Sequence, residues 1–95
     1  MAHSRLKHEN IVQFVGVFVS EQRAGIVTEY CSGGDLASLL HNLSRPLATS
    51  RRLAIALDAA RGMRYLHERK PPIMHRDLKP GNIFVRVPFV FFAFL

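Results

Sequence analysis

The apolar positions fall into blocks of different period. Ile11 to Val19 is β-branched and aromatic and predicts a strand. Glu21 to Gly25 reads as a turn. Ile26 to Tyr30 predicts a second strand, antiparallel to the first as a hairpin. Cys31-Ser32-Gly33-Gly34 is a break, with two glycines that let the backbone turn without steric cost. Asp35 is placed to cap a short helix through about Asn42, with Leu36, Leu39 and Leu40 on its apolar side. Leu43 to Ala48 contains Pro46 and reads as a loop. Thr49 or Ser50 is positioned to cap a long helix running to about Arg69. In it, Leu53, Ala56, Leu57, Ala60 and Met63 recur at helical spacing and predict a buried stripe. Arg52, Arg61, Arg64 and Glu68 fall on the expected wet face. Lys70-Pro71-Pro72 stops the helix. Ile83-Phe84-Val85 predicts a short buried strand. The polar residues 1–10 read as the last turn of a helix and a loop.

Residues 87–95 depart from this patterning. They are apolar on both parities, which does not describe a half-exposed strand. They are too few to span a bilayer, and no other run approaches the roughly 18 apolar residues a spanning helix needs. Exposed, this segment is an aggregation hazard.

Length and composition narrow the picture. A chain of 95 residues holds one domain at most and buries a modest core. Apolar residues at 48% and charged residues at 21% describe a globular rather than a disordered chain. The predicted elements make an α+β fold. The formal charge is +6, but Lys and Arg are scattered from Arg5 to Arg86 with no block of five. Without interleaved exposed aromatics, nucleic acid is not the expected partner. The single cysteine, Cys31, permits no internal disulfide and suits a reducing cytoplasmic or nuclear setting. No apolar signal-peptide core stands near Met1. His3, His8, His41 and His67 lack metal-ligand spacing.

The chemistry concentrates in His75-Arg76-Asp77-Leu78-Lys79-Pro80-Gly81-Asn82. A hydroxyl that attacks a phosphorus needs a carboxylate to orient it and take its proton, which suits Asp77. A hard divalent ion prefers oxygen ligands, and the Asn82 amide supplies one. Lys79 between them can neutralise charge on a transferring phosphoryl group. A plain surface turn would account for Lys-Pro-Gly-Asn but does not demand His-Arg-Asp ahead of it. Five specified residues in one frame arise by chance in a chain this short with odds on the order of 10⁻⁵.

This run matches the H-R-D-L-x-x-x-N catalytic loop of eukaryotic protein kinases. The chain resembles an internal fragment of such a domain, closest to the tyrosine-kinase-like serine/threonine group. Leu6 to Val12 resembles the loop between the family's αC helix and fourth strand. Ile26 to Leu36 resembles the fifth strand, the hinge (about 29–34) and the entry to αD. Residues 51–68 resemble αE, ending in Tyr65-Leu66-His67. The resemblance therefore implies a partial kinase fold over residues 1–86, comprising the end of αC, two antiparallel N-lobe strands, hinge, αD, αE and catalytic loop. Residues 87–95 stand as an apolar tail outside the family pattern, of intron-derived or out-of-frame character.

The resemblance also implies roles, position by position. Asp77 falls at the catalytic base, Asn82 at a Mg²⁺ ligand, and Lys79 at the phosphate-contacting lysine of serine/threonine kinases. Arg76 falls at the arginine that meets a phosphorylated activation loop, and His75 at a packing residue. Thr28 falls at the gatekeeper beside the adenine pocket. Glu29 and Cys31 fall where hinge backbone groups bond adenine, and Phe84 at the pocket's apolar floor. Asp35 or Ser38 falls near the ribose. The implied cofactors are ATP and Mg²⁺, and the implied partner is a protein carrying a Ser/Thr hydroxyl. The family pattern also calls for a Gly-rich loop, a strand lysine, an αC glutamate and Asp-Phe-Gly. None of these occurs in the 95 residues, so the chain is expected to be a fragment that is inactive alone, or else a non-catalytic remnant that binds proteins.

Overall fold

The computed structural model describes residues 6–42, 44, 46–86 and 89–92. The expected end of αC falls largely on residues 1–5, outside the described residues. The elements in order are β1 (Phe14–Val19), β2 (Ala24–Thr28), α1 (Leu36–Leu40), α2 (Thr49–His67), a 3₁₀ turn (Pro80–Asn82), β3 (Ile83–Arg86) and β4 (Phe89–Phe92). They form two antiparallel two-stranded sheets, β1–β2 and β3–β4, with α2 packed against β4.

The β1–β2 hairpin closes through a Ser20–Arg23 turn, where the Ser20 amide donates to the Arg23 carbonyl at 2.7 Å. β1 begins at Phe14, later than the pattern from Ile11 predicts. Ile11 and Val12 are apolar because they are buried, each in a different cluster. The Gln13 amide is held by the Glu29 carboxylate at 2.7 Å instead of by a ladder partner. The register then shifts between Phe14 and Gly16, a bulge that gives Val15 no opposite residue. β2 starts at Ala24 and ends at Thr28; beyond it Glu29 keeps one backbone bond across to Gln13, and Tyr30 is exposed.

Asp35 caps α1 as its sequence position predicts: its carboxylate accepts from the Ser38 amide at 3.1 Å. In α2 the expected cap is displaced. Ala48 is the N-cap, with extended backbone and no side-chain bond, and Thr49 and Ser50 sit inside the first turn. The preceding carbonyl is anchored by Arg52, whose Nε donates to the Leu47 oxygen at 2.9 Å.

The buried face of α2 also differs from the expected stripe. Ile55, Gly62 and Leu66 are buried, with Ala59 and Met63 packed beside them. Leu53 is 65% exposed and Leu57 51%. The helix carries two apolar stripes at helical spacing. The neighbours Leu6, Ile11, Ile83 and Val90 cover only one of them. Leu66, with no exposed surface, sits at the centre.

Within the apolar segment, Phe89–Phe92 pairs with β3, Ile83 opposite Phe92 and Arg86 opposite Phe89. Val90 is buried, and its carbonyl accepts from Asn10 Nδ2 at 3.0 Å. This bond ties the polar loop before β1 to the last strand. Among the described residues no helix is long and apolar enough to cross a membrane.

The exposure difference along α2 has a direct consequence. Leu66→Ala should lower stability in urea by about 2–5 kcal/mol. Leu53→Ala should change it by less than about 0.5 kcal/mol. A larger loss at Leu53 than at Leu66 would mean the helix faces its core the other way round.

Candidate active site

Two clusters of functional side chains meet across β3. The first is the loop before it. His75 is buried, and its Nδ1 accepts from the Asp77 amide at 3.2 Å. Arg76 lies between them in the left-handed region at φ 71°, uncommon for a residue with a Cβ. That reversal points His75 inward and leaves Arg76 and Asp77 exposed. Asn82, buried at the end of the 3₁₀ turn, donates through Nδ2 to the Asp77 backbone oxygen at 2.9 Å and to its carboxylate Oδ2 at 3.0 Å. Its Oδ1 remains as an acceptor or ligand atom. Lys79 Nζ stands 3.6 Å from Asp77 Oδ2. Both side chains are about half exposed, so the pair is worth little as a stabilising bridge. Its significance is the cation it places beside the carboxylate.

The second cluster is the hinge. Gly33 N donates to the Val85 oxygen and Val85 N to the Gly34 oxygen, each at 2.8 Å, and Asp35 bridges Phe84. The backbones approach so closely that a Cβ on Gly33 would lie 2.3 Å from the Val85 oxygen. Gly34, at φ 73°, makes the turn that follows.

Between hinge, β2 and β3 lies a cavity of about 510 Å³. That size suits a small-molecule or cofactor site. Thr28, Glu29, Cys31, Asp35 and Phe84 line it, five of the six residues expected there. Ser38 does not. Its hydroxyl donates to Asp35 Oδ1 at 2.8 Å, holding the carboxylate at the rim. These Ser38 bonds hold the Asp35 carboxyl below the ordinary carboxylate range. The Glu29 amide is committed to the Gln13 oxygen at 3.0 Å, while its carbonyl takes the Thr28 hydroxyl at 3.1 Å. Its carboxylate is also engaged, with Arg86 Nη1 at 3.4 Å.

Sequence reading missed Val12 and Ile26 in the lining. Ile26 was recoverable, because it shares Thr28's face on a strand of period two. Val12 carries no spacing signal; the contact with Cys31 and Phe84 arises from tertiary packing. Asp77, Lys79 and Asn82 lie outside the cavity lining. Asn82 is two residues before Phe84 along β3, roughly 7 Å of extended chain. The oxygen-rich loop and the apolar cavity therefore adjoin along one strand.

A family model described as protein tyrosine and serine/threonine kinase matches residues 1–91. The chain belongs to this kinase family. Curated relatives agree. Serine/threonine-protein kinase CTR1 of Arabidopsis thaliana is 51% identical over 83 residues, covering 85% of this chain and 10% of that protein. Serine/threonine-protein kinase TNNI3K of Homo sapiens is 48% identical over 80 residues, covering 83% of this chain and 10% of that protein. Probable serine/threonine-protein kinase drkD of Dictyostelium discoideum is 47% identical, covering 85% and 6%. The chain spans about a tenth or less of the length of these relatives. By family the chain falls among the tyrosine-kinase-like serine/threonine kinases and holds part of their α+β fold.

The cavity's thiol gives a test. Cys31 is pushed up from its ordinary value, first by burial and then by the Glu29 carboxylate, while Arg86 pulls it down. Iodoacetamide followed by mass spectrometry at pH 8 should alkylate Cys31 more slowly than free cysteine. Glu29→Gln should speed the reaction and Arg86→Gln should slow it. The opposite order in the two variants would contradict this electrostatic account.

Proposed function

We propose that this chain carries the adenine-binding hinge and catalytic loop of a kinase that transfers the γ-phosphate of ATP to a Ser or Thr hydroxyl of a protein. The observation that carries the reading is Asn82 Nδ2 donating to the Asp77 backbone oxygen and to its carboxylate Oδ2, two residues before a strand residue that lines the hinge cavity. Thr28 and Phe84 bound the base, and the Glu29 carbonyl and Cys31 backbone offer its polar contacts. Asp35 stands at the ribose side. Asp77 orients the substrate hydroxyl and takes its proton. Lys79 holds positive charge against the transferring group. Arg76, exposed beside the base, is placed to meet a phosphorylated loop. The Asn82 amide oxygen suits a hard ion, and Mg²⁺ bound there would neutralise phosphate charge. A cytoplasmic or nuclear setting is proposed on the single unpaired cysteine.

A second reading, a non-catalytic remnant that binds proteins, is favoured by the exposed Leu53 and Leu57. Two assays separate the readings. TNP-ATP fluorescence on the 95-residue chain should show binding that ATP displaces, weakened at least tenfold by Gly33→Val. Phosphate transfer to a generic Ser/Thr substrate should be absent from these residues alone, because phosphoryl transfer depends on positioning by groups they do not contain. Failure of a folded chain to bind nucleotide would overturn the hinge assignment. Transfer abolished by Asp77→Asn would overturn the inactivity.

A further inference from the structure

Away from the nucleotide cavity, the outer face of α2 meets the loop before β1 in a second, smaller pocket of about 220 Å³. His8, Arg61, Arg64, Tyr65, Glu68 and Arg69 line it. The pocket consists almost wholly of hydrogen-bond donors. The Asn10 amide donates to His8 Nδ1 at 3.0 Å, so a neutral His8 carries its proton on Nε2, as a donor. The Lys7 amide donates to the Tyr65 hydroxyl at 3.1 Å, leaving that hydroxyl's own proton to give. Arg69 stacks on the Tyr65 ring at 4.0 Å and spends only Nε, on the Tyr65 carbonyl at 2.9 Å. Arg64 spends Nε on Glu68 at 2.5 Å, and Arg61 spends Nη1 on Asp58 at 3.5 Å. Each guanidinium has five N–H donors, so most of the forks stay available. Three arginines against one glutamate give the lining a formal charge of +2. A phosphomonoester carries about −1.5 to −2 near neutral pH and accepts through three oxygens. Arginine forks match that geometry.

The surface beside the pocket specifies more than an anion. Leu53 and Leu57, both exposed, continue the stripe of Arg61, Arg64 and Glu68 along the same helix at spacings of three and four. Leu57 stands seven residues from Arg64, about 10 Å along the axis. An extended peptide covers that distance in about three residues.

We propose that this face binds a phosphorylated segment of a partner protein, with a phosphoserine or phosphothreonine in the arginine pocket and an apolar side chain three positions away on Leu57 and Leu53. The interaction is independent of nucleotide binding at the hinge.

Fluorescence anisotropy on the 95-residue chain tests this with a labelled, otherwise neutral peptide holding one phosphoserine and a leucine three positions away, at either end. One orientation should bind at least tenfold more tightly than its unphosphorylated form, and replacing its leucine by glycine should weaken it several-fold. Arg61→Gln/Arg64→Gln, both at exposed positions, should weaken it at least tenfold. Leu57→Ser should weaken it several-fold, and Arg23→Gln on the distant hairpin turn should change nothing. Shifts of the His8 and Tyr65 ring resonances on peptide addition should locate the contact, and circular dichroism should show the variants folded. Equal binding of the phosphorylated and unphosphorylated peptides, or undiminished binding by the arginine variant, would overturn the proposal. Inorganic phosphate competing as well as the peptide at equal concentration would overturn the peptide part in favour of a free-phosphate site. Vesicles of phosphatidylserine that displace the peptide while the peptide shows no leucine preference would point instead to a lipid surface.

Discussion

Two backbone hydrogen bonds, between Gly33 and Val85 and between Val85 and Gly34, hold the functional part of this chain together. They clip the hinge segment onto β3. The sheet β1–β2 precedes that segment, α1 follows it, and the loop holding Asp77 and Asn82 runs directly into β3. The clip works only because residue 33 lacks a Cβ, since any side chain there would run into the Val85 oxygen. A single atom's absence therefore sets how closely the hinge lies against β3, and with it the spacing between the hinge cavity and the Asp77–Asn82 loop.

Around the clip, polar side chains do the positioning that a core this small leaves undone. Asn10 joins the loop before β1 to β4. Glu29 ties the hinge to both Gln13 and Arg86. Ser38 holds Asp35 at the rim, and Asn82 holds Asp77. Net hydrogen bonds contribute only about 1 kcal/mol each. Their value here is directional, because each fixes one functional group against one element. The left-handed Arg76 belongs to the same pattern, a local strain retained where it turns Asp77 toward solvent.

The loop from His75 to Asn82 stood out because a carboxylate, a cation and an amide oxygen fall within six residues at a spacing that resembles the family's catalytic loop, whereas the hinge was placed by resemblance alone. The short helix was legible because Asp35 is a strong cap immediately before a leucine pattern. The face of α2 was not. Leu53-Ala56-Leu57-Ala60 and Ile55-Ala59-Gly62-Leu66 both satisfy helical periodicity, and only the available partners decide between them. The start of β1 was misplaced for a related reason, since Ile11 and Val12 serve core clusters and not the ladder. Thr49 and Ser50 are better caps by type than Ala48, yet the extended backbone of Ala48 carries the boundary. Ser38 follows Asp35 closely enough to share its expected role, but its hydroxyl turns back on the carboxylate.

The most direct measurement is amide hydrogen exchange on the 95-residue chain. Gly33 and Val85 carry the clip, whereas a glycine-rich hinge lying free would exchange at the rate of an open loop. The account predicts that both amides are protected and open together, at rates within the range of the buried turn of α2 around Leu66. Exchange of the two amides at unprotected rates, while Leu66 stays protected, would contradict it.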